Sequence, residues 1–390
     1  MHAPGVAALS FCMLRASLRS CLRMTVGPTL ALSGPTPTPA YSVPPTTDHS
    51  RSVSGMTTTL PAAWYGDPAI HQRERRAVFG NEWLFAGFSQ SLAGPGDYLA
   101  TDIAGWNIVV TVDDEGVLRA HHNVCRHRAG PLVPDGRGRV PSLVCRYHGW
   151  AYSLDGRLRS ARDFGDTIDI VDCDALIPLQ VDTWRGLVFV NVGENGAAPP
   201  LLEALGTFVD ACADYPIESF VPSAESDHGL ACNWKTYADN YLEGYHIPLV
   251  HPALNKEIDA RRYRVDIDED YRWVLHSAPA RDGALNLGRW LWRWPNLAVN
   301  LYADGVNVEC YDPLGPSRTR VRYSFAFADP TSPANADTMR LSGLTLDEDR
   351  AICEAVQRNL DGGIYTAGVL SPRHEQGVAA FQRWLVNAIS

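Results

Sequence analysis

Two short boxes concentrate most of the reactive chemistry in this chain: Cys125-Arg126-His127 and, after seventeen intervening residues, Cys145-Arg146-Tyr147-His148. Each supplies one thiolate and one imidazole. Two thiolates on one iron and two imidazoles on the other make a mixed-ligand [2Fe–2S] centre, whose potential lies above that of an all-cysteine cluster. Tetrahedral zinc also accepts two cysteines and two histidines. Zinc fingers, though, usually pair Cys with Cys and His with His, so the iron–sulfur reading leads and zinc stays as the alternative.

A second constellation lies in Asn240-Tyr241-Leu242-Glu243-Gly244-Tyr245-His246-Ile247-Pro248-Leu249-Val250-His251. On an unbroken helix, histidines five apart point about 140° from each other. Pro248 is expected to break or kink that helix and so turn both imidazoles towards one point. Two histidines and a carboxylate, with positions left open, form the facial triad of non-haem Fe(II) oxygenases. By itself an H-x4-H pair is weak evidence and describes two packing histidines equally well.

Strands and loops must present the first two boxes. Residues 68–78 read as a helix, after which Trp83-Leu84-Phe85-Ala86-Gly87-Phe88 opens a β-rich region. Residues 107–112 and 117–121 flank Asp113-Asp114-Glu115-Gly116, a hairpin signal. Residues 150–154 and 157–158 flank Asp155-Gly156, a stronger one. Residues 184–192 read as one β run and 193–200 as a linker. The boxes therefore belong on loops of a small antiparallel β domain over residues 82–195, preceded by a helical segment over 56–81. Beyond it, helices are expected over residues 201–213, 234–245 and 347–360, and strands over 271–276, 297–302, 306–311 and 320–327. That mixture predicts an α+β domain over residues 201–390, with helices packed on a curved antiparallel sheet.

The whole chain sets bounds on function. At 390 residues it holds two domains with substantial cores. A net charge of −10 argues against a nucleic-acid-binding surface, and the absence of any run of 18 apolar residues argues against a membrane-spanning helix. Nine scattered cysteines do not make a secreted disulfide framework and suit a reducing cytoplasm. Residues 1–55 differ from the rest: four arginines, one acid and six prolines between Pro28 and Pro45 predict disorder. Such a stretch reads as a mis-called start upstream of Met56 or as a targeting segment.

Together, C-R-H…C-R-Y-H-G-W and the later N-W-K…D-N-Y-x-E-x-Y-H-x4-H resemble the large (α) subunit of Rieske non-haem iron oxygenases, over about residues 63–385. Respiratory-type Rieske carriers have an extra cysteine in each box; Arg126 and Tyr147 stand in these boxes and no such cysteine does. The resemblance implies a Rieske β domain followed by a helix-grip catalytic domain. It implies a [2Fe–2S] Rieske cluster on Cys125, His127, Cys145 and His148. It also implies a mononuclear non-haem Fe(II) on His246, His251 and a carboxylate that precedes an E-x-x-Q helix, for which Asp349 is chosen over Asp347 and Glu348. Glu243 matches the carboxylate that bridges the cluster of one subunit to the iron of its neighbour in a homotrimer. A separate NAD(P)H-dependent flavin/iron–sulfur reductase is implied as partner, since no G-x-G-x-x-G after a strand and no further cysteine cluster occurs here.

The wording around Glu243, Pro295-Asn296-Leu297, Tyr302, Val308-Glu309 and Pro313-Leu314-Gly315-Pro316 resembles the branch that oxidises quaternary ammonium compounds such as choline, glycine betaine and carnitine. Trp290, Trp292 and Trp294 alternate, so on a strand they would share one face. A trimethylammonium group could lie against such rings, although packing against a helix is their commoner use. Aromatic-ring hydroxylation is the enzymatic alternative. A bare Rieske electron carrier is the non-catalytic one, and it would leave about half the chain unexplained.

Overall fold

The computed structural model describes residues 57–163, 175–193 and 198–390; the arginine- and proline-rich start and the middle of the expected linker lie outside these. Helix α1 (Pro68–Ala77) starts where Asp67 accepts a hydrogen bond from the Ala69 N–H at 2.7 Å. Pro68 takes the first helical position, where a missing N–H costs nothing.

Ten strands follow: β1 (Trp83–Phe88), β2 (Asp97–Ile103), β3 (Trp106–Val112), β4 (Leu118–His122), β5 (Gly136–Arg139), β6 (Leu143–Val144), β7 (Ala151–Tyr152), β8 (Leu158–Ser160), β9 (Pro178–Trp184) and β10 (Leu187–Asn191). They form a seven-stranded sheet in the order β1-β10-β9-β4-β3-β2-β5 and a three-stranded one in the order β6-β7-β8. The hairpins expected at residues 113–116 and at Asp155-Gly156 form as β3–β4 and β7–β8. Residues 184–192 are not one run. Arg185 and Gly186 both take positive φ, 49° and 81°, and turn the chain back between β9 and β10. Arginine in a left-handed conformation is an uncommon turn residue, and the sequence carries no warning of it.

The second half begins with α2 (Leu201–Leu205) and α3 (Phe208–Ala211), then β11 (Val221–Leu230), α4 (Trp234–Tyr241), α5 (Ile247–Val250) and α6 (Leu254–Glu257). Strands β12 (Arg264–Asp268), β13 (Trp273–Ser277), β14 (Asn286–Arg293), β15 (Leu297–Tyr302), β16 (Gly305–Gly315) and β17 (Arg318–Phe327) come next, before α7 (Ala334–Asp361) and α8 (Gln376–Ile389). The seven strands β11-β17-β16-β15-β14-β13-β12 form one antiparallel meander closed by β11, the α+β arrangement expected. The single helix expected over residues 201–213 is two. At Gly206 φ is +50°, and a Cβ there would stand 2.0 Å from the Tyr271 ring.

Helix α7 is twice as long as its readable part. Ser342, Gly343 and Thr345 are weak helix formers that hide its first half. The structure accommodates the two hydroxyls by bonding Ser342 Oγ to the Thr338 carbonyl and Thr345 Oγ1 to that of Leu341, each four residues back.

Cores do not respect a boundary near residue 195. Trp83, Phe85 and Phe189 of β1 and β10 share one buried cluster with Leu291, Val299 and Val308 of the second sheet. Cys125, Cys145, Trp150 and Tyr152 belong to a separate small core at the far side of the first sheet. Helix α4 is anchored by a fully buried ion pair, Lys235 Nζ to Glu74 Oε1 of α1 at 2.6 Å, with the Trp234 indole N–H donating to the other Glu74 oxygen at 2.9 Å. Among the described residues no helix is long and apolar enough to cross a membrane.

Two candidate metal centres

The two Cys/His boxes fold as near copies of one loop. In the first, the Cys125 N–H bonds the Gly130 carbonyl at 2.8 Å and the Ala129 N–H returns to the Cys125 carbonyl at 3.0 Å. In the second, the Cys145 N–H bonds the Trp150 carbonyl and the Gly149 N–H returns to Cys145, both at 2.9 Å. Each loop turns on a residue of positive φ, Ala129 at 55° and Gly149 at 76°. These turns bring the His127 and His148 rings to 4.7 Å between centroids, with His127 stacked on Trp150.

Both sulfurs are buried, and Tyr152 Oη lies 3.3 Å from Cys125 Sγ while accepting the Arg126 N–H at 3.1 Å. Burial holds the Cys145 thiol above its ordinary pKa, and the adjacent Cys125 adds to the effect, so paired thiolates here need a cation to balance them. The two loops thus bring two buried sulfurs and two neighbouring imidazoles together, one of each from each loop, the donor set of a mixed-ligand iron–sulfur centre.

At the second site the helix ends earlier than its sequence indicates. Helix α4 stops at Tyr241, before Pro248, and Gly244 allows the chain to pass the partly buried Tyr263 ring: a Cβ there would stand 2.4 Å away. Pro248 kinks nothing. It occupies the first turn of a new short helix, α5, where it is tolerated, and His246 and His251 cap the two ends.

Asp349 does not precede a helix either. It lies inside α7, and Asn240 Nδ2 donates to its Oδ1 at 2.6 Å. His246 Nε2 and His251 Nε2 are 3.1 Å apart, and Asp349 Oδ1 stands 3.0 Å from the second and 3.7 Å from the first. Metal–nitrogen bonds of about 2.1 Å set at right angles place their nitrogens about 3 Å apart, so one face of an octahedron fits these distances.

Second partners fix both rings. His246 Nδ1 faces Glu243 Oε1 at 2.5 Å, and His251 Nδ1 faces Glu348 Oε2 at 2.7 Å. With Nδ1–H committed to a carboxylate, each Nε2 lone pair is free for a metal. Burial alone would lower the His251 pKa, but the Asp349 and Glu348 carboxylates outweigh it and raise it. Glu348 thus has a role that sequence reading assigned only as a rival for Asp349. Asp347 pairs instead with Arg350 at 3.0 Å on the exposed side of α7.

The triad lies at the wall of a cavity of about 90 Å³. Tyr237, Tyr241, Tyr263, Tyr323 and Trp290 line it, and among its described lining residues none is lysine or arginine. The three tryptophans do not form one cage at the cavity. Trp290 reaches the cavity, its ring lying over Tyr263 at 6.1 Å, whereas Trp292 stacks on Trp384 of α8 at 6.2 Å and Trp294 packs on Phe381. Helix α8 covers that end of the sheet, and only Trp290 lies clear of it. Arg261 points to solvent, pairing with Asp259 at 3.1 Å.

Comparison with known proteins agrees with this geometry. Residues 82–171 match the Rieske [2Fe-2S] domain, and residues 217–277 and 274–390 match the ring hydroxylating alpha subunit (catalytic domain). Chloroplastic choline monooxygenase of Beta vulgaris is 30% identical over 343 residues, covering 84% of this chain and 76% of that protein. The oxygenase subunit of glycine betaine monooxygenase from Chromohalobacter salexigens is 28% identical, covering 84% of each. The solved structure of a quaternary ammonium Rieske monooxygenase, described for carnitine oxidation and inter-subunit electron transfer, superposes with a TM-score of 0.79 at 26% identity. It spans 86% of this chain and 96% of that one.

A Rieske β domain joined to an iron-binding α+β domain defines an oxygenase α subunit. The chain belongs to the Rieske non-haem iron oxygenase family and is an oxidoreductase that depends on a Rieske [2Fe–2S] cluster and a mononuclear iron.

Proposed function

We propose that this chain is the oxygenase component of a monooxygenase that hydroxylates a small quaternary ammonium compound. The cavity carries the reading: a small, aromatic, acid-bearing chamber at the triad, without lysine or arginine in its described lining, suits a compact cation. The names of the relatives, choline and glycine betaine monooxygenases, support the same class.

In this reading Cys125, Cys145, His127 and His148 hold the cluster, and His246, His251 and Asp349 hold the mononuclear iron. The metals supply the electron transfer and oxygen chemistry. Glu243 and Glu348 hold the two imidazoles in one tautomer, while the rings of Tyr263 and Trp290 keep the head group still beside the triad. Hydroxylating an N-methyl group takes up O2, two protons and two electrons and releases water. The carbinolamine then falls apart to formaldehyde and the demethylated amine. Choline hydroxylated at its alcohol carbon would instead give betaine aldehyde hydrate.

The electrons come from a separate NAD(P)H-dependent reductase, and the working unit is a homotrimer in which Glu243 links the iron histidine to a cluster histidine of the next subunit. Inter-subunit electron transfer in the solved relative supports that arrangement. A cytoplasmic setting belongs to this reading; none of the described cysteines is in a disulfide.

Single turnover tests it without the reductase. The iron-loaded protein is reduced chemically, mixed with choline, glycine betaine, carnitine and simple aromatics, and exposed to oxygen, and products are identified by mass spectrometry. A demethylated amine or betaine aldehyde is expected; a hydroxylated ring would overturn the substrate class and leave both metal centres standing.

A further inference from the structure

One carboxylate in the cavity has no duty at the iron. Glu309 lies in the middle of β16, paired in register with Ala298 of β15 and Tyr323 of β17, and is 2% exposed. Its Oε1 accepts the Tyr237 hydroxyl at 2.6 Å and its Oε2 accepts Asn300 Nδ2 at 3.0 Å. Asn300 is itself set by the Tyr241 hydroxyl, which donates to its Oδ1 at 2.7 Å. All four side chains line the cavity that holds His246, His251 and Asp349.

The other two acids in that lining are engaged. Glu243 faces His246, and Asp349 faces both histidines. Glu309 forms no ion pair with any described lysine, arginine or histidine. Burial pushes its carboxyl up to about 7, against the opposing hydrogen bonds from Tyr237 and Asn300 and with the Asp349 charge adding to the rise. A buried carboxylate held by two neutral donors and ringed by tyrosines is poorly explained as scaffolding, because burying a charge without an opposite one is costly and a neutral side chain would make the same two hydrogen bonds more cheaply.

We infer that Glu309 is the counter-charge for the substrate: its carboxylate, held by Tyr237 and Asn300, faces the quaternary nitrogen, and the surrounding tyrosine rings cover the methyl groups. This rests on the quaternary ammonium reading and adds to it the residue that separates a cation from its uncharged isostere. Aromatic faces alone attract a cation weakly when solvated and also accept a tert-butyl group of the same shape. A carboxylate discriminates between the two. Choline is the leading probe, since the described lining offers no lysine or arginine for the carboxylate of a betaine.

The test compares binding of choline with 3,3-dimethylbutan-1-ol, and of glycine betaine with 3,3-dimethylbutanoate, to the iron-loaded full chain by calorimetry. The wild-type protein should prefer at least one cation. In Glu309→Gln, which keeps size and an acceptor for Tyr237, affinity for that cation should fall about 10- to 100-fold, with the isostere unchanged. Glu309→Asp should retain the charge preference in reduced form. Wild-type protein that binds neither cation better than its isostere overturns both the substrate class and this role. A wild-type preference that survives in Glu309→Gln, or a loss shared equally by cation and isostere, overturns the counter-charge alone. Should the glutamine variant fail to fold, Glu309→Asp decides: withdrawing the carboxylate by one methylene must lower the cation-to-isostere ratio several-fold, and an unchanged ratio ends the proposal.

Discussion

Glu348 Oε2 stands 2.7 Å from His251 Nδ1, so adjacent acids on one helix serve the same histidine: Glu348 from behind and Asp349 across the metal position. The two carboxylates are one residue apart in α7 and do different work. Removing a carboxylate that orients a ligating histidine typically lowers metal affinity about 10- to 100-fold. Glu348→Gln should therefore weaken mononuclear iron binding by that factor, read by titration of the metal-depleted protein with Fe(II). Asp349→Ala should abolish it. Equal behaviour of the two variants would mean that their roles are not distinct.

The two loops that carry the Cys/His boxes fold independently of the triad in their hydrogen bonding, which separates the two centres experimentally. Cys145→Ser should lose the brown colour and the rhombic EPR signal of the reduced cluster and keep mononuclear iron. His246→Ala should keep colour and signal and lose product formation. If His246→Ala retained turnover, the triad would not be the site of oxygen chemistry.

Lys235 and Glu74 are almost fully buried and 2.6 Å apart, and they tie α1 to the helix that ends beside the iron. Burial drives the Lys235 pKa down, and Glu74 opposes that. Breaking such a pair from one side leaves an uncompensated charge, at a cost of about 3–5 kcal/mol. Glu74→Leu should lower the melting temperature strongly, and the double change Glu74→Leu/Lys235→Met should recover most of the loss. A double variant as unstable as the single one would show that packing, not charge, explains the effect.

His121 is buried on β4, and burial is the main reason its pKa falls to about 4 from the ordinary 6.5, with the Asp155 backbone pulling the other way. The unfolded chain takes up this proton as pH drops through 6.5, whereas the folded chain does so only near 4. The stability tied to the neutral ring is thus complete above pH 6.5 and declines as pH falls towards 4, by about 3 kcal/mol at most. His121→Gln carries no such titration. Its stability deficit relative to the wild-type protein, measured by thermal denaturation, should shrink between pH 7 and pH 5, and parallel curves would contradict the assignment.

Glycine and proline signals mark where the chain can break and not always where it does. Asp155-Gly156 is a turn in both readings, because its chemistry is local. The Arg185-Gly186 turn, the break at Gly206 and the early end of α4 answer to neighbours far along the chain: Tyr271 crowds Gly206, and Tyr263 crowds Gly244. The hidden first half of α7 likewise depends on packing that offsets weak local propensity.

The two cofactors were legible in the sequence. Thiolate and imidazole have no substitutes at a mixed iron–sulfur centre, so two Cys/His boxes, an H-x4-H pair and a run of three acids announce two metals before any fold is known. Only the tertiary structure sorted the neighbouring acids, setting Asp349 against Nε2 of His251, Glu348 against its Nδ1 and Asp347 towards solvent. It alone kept Trp290 in the cavity while folding Trp292 and Trp294 into the core, and it alone brought Glu309 beside Tyr237 and Asn300. Residue chemistry is a local property and can be read along a line; which side chain faces which depends on strand register and helix rotation, which the packing of the whole chain decides.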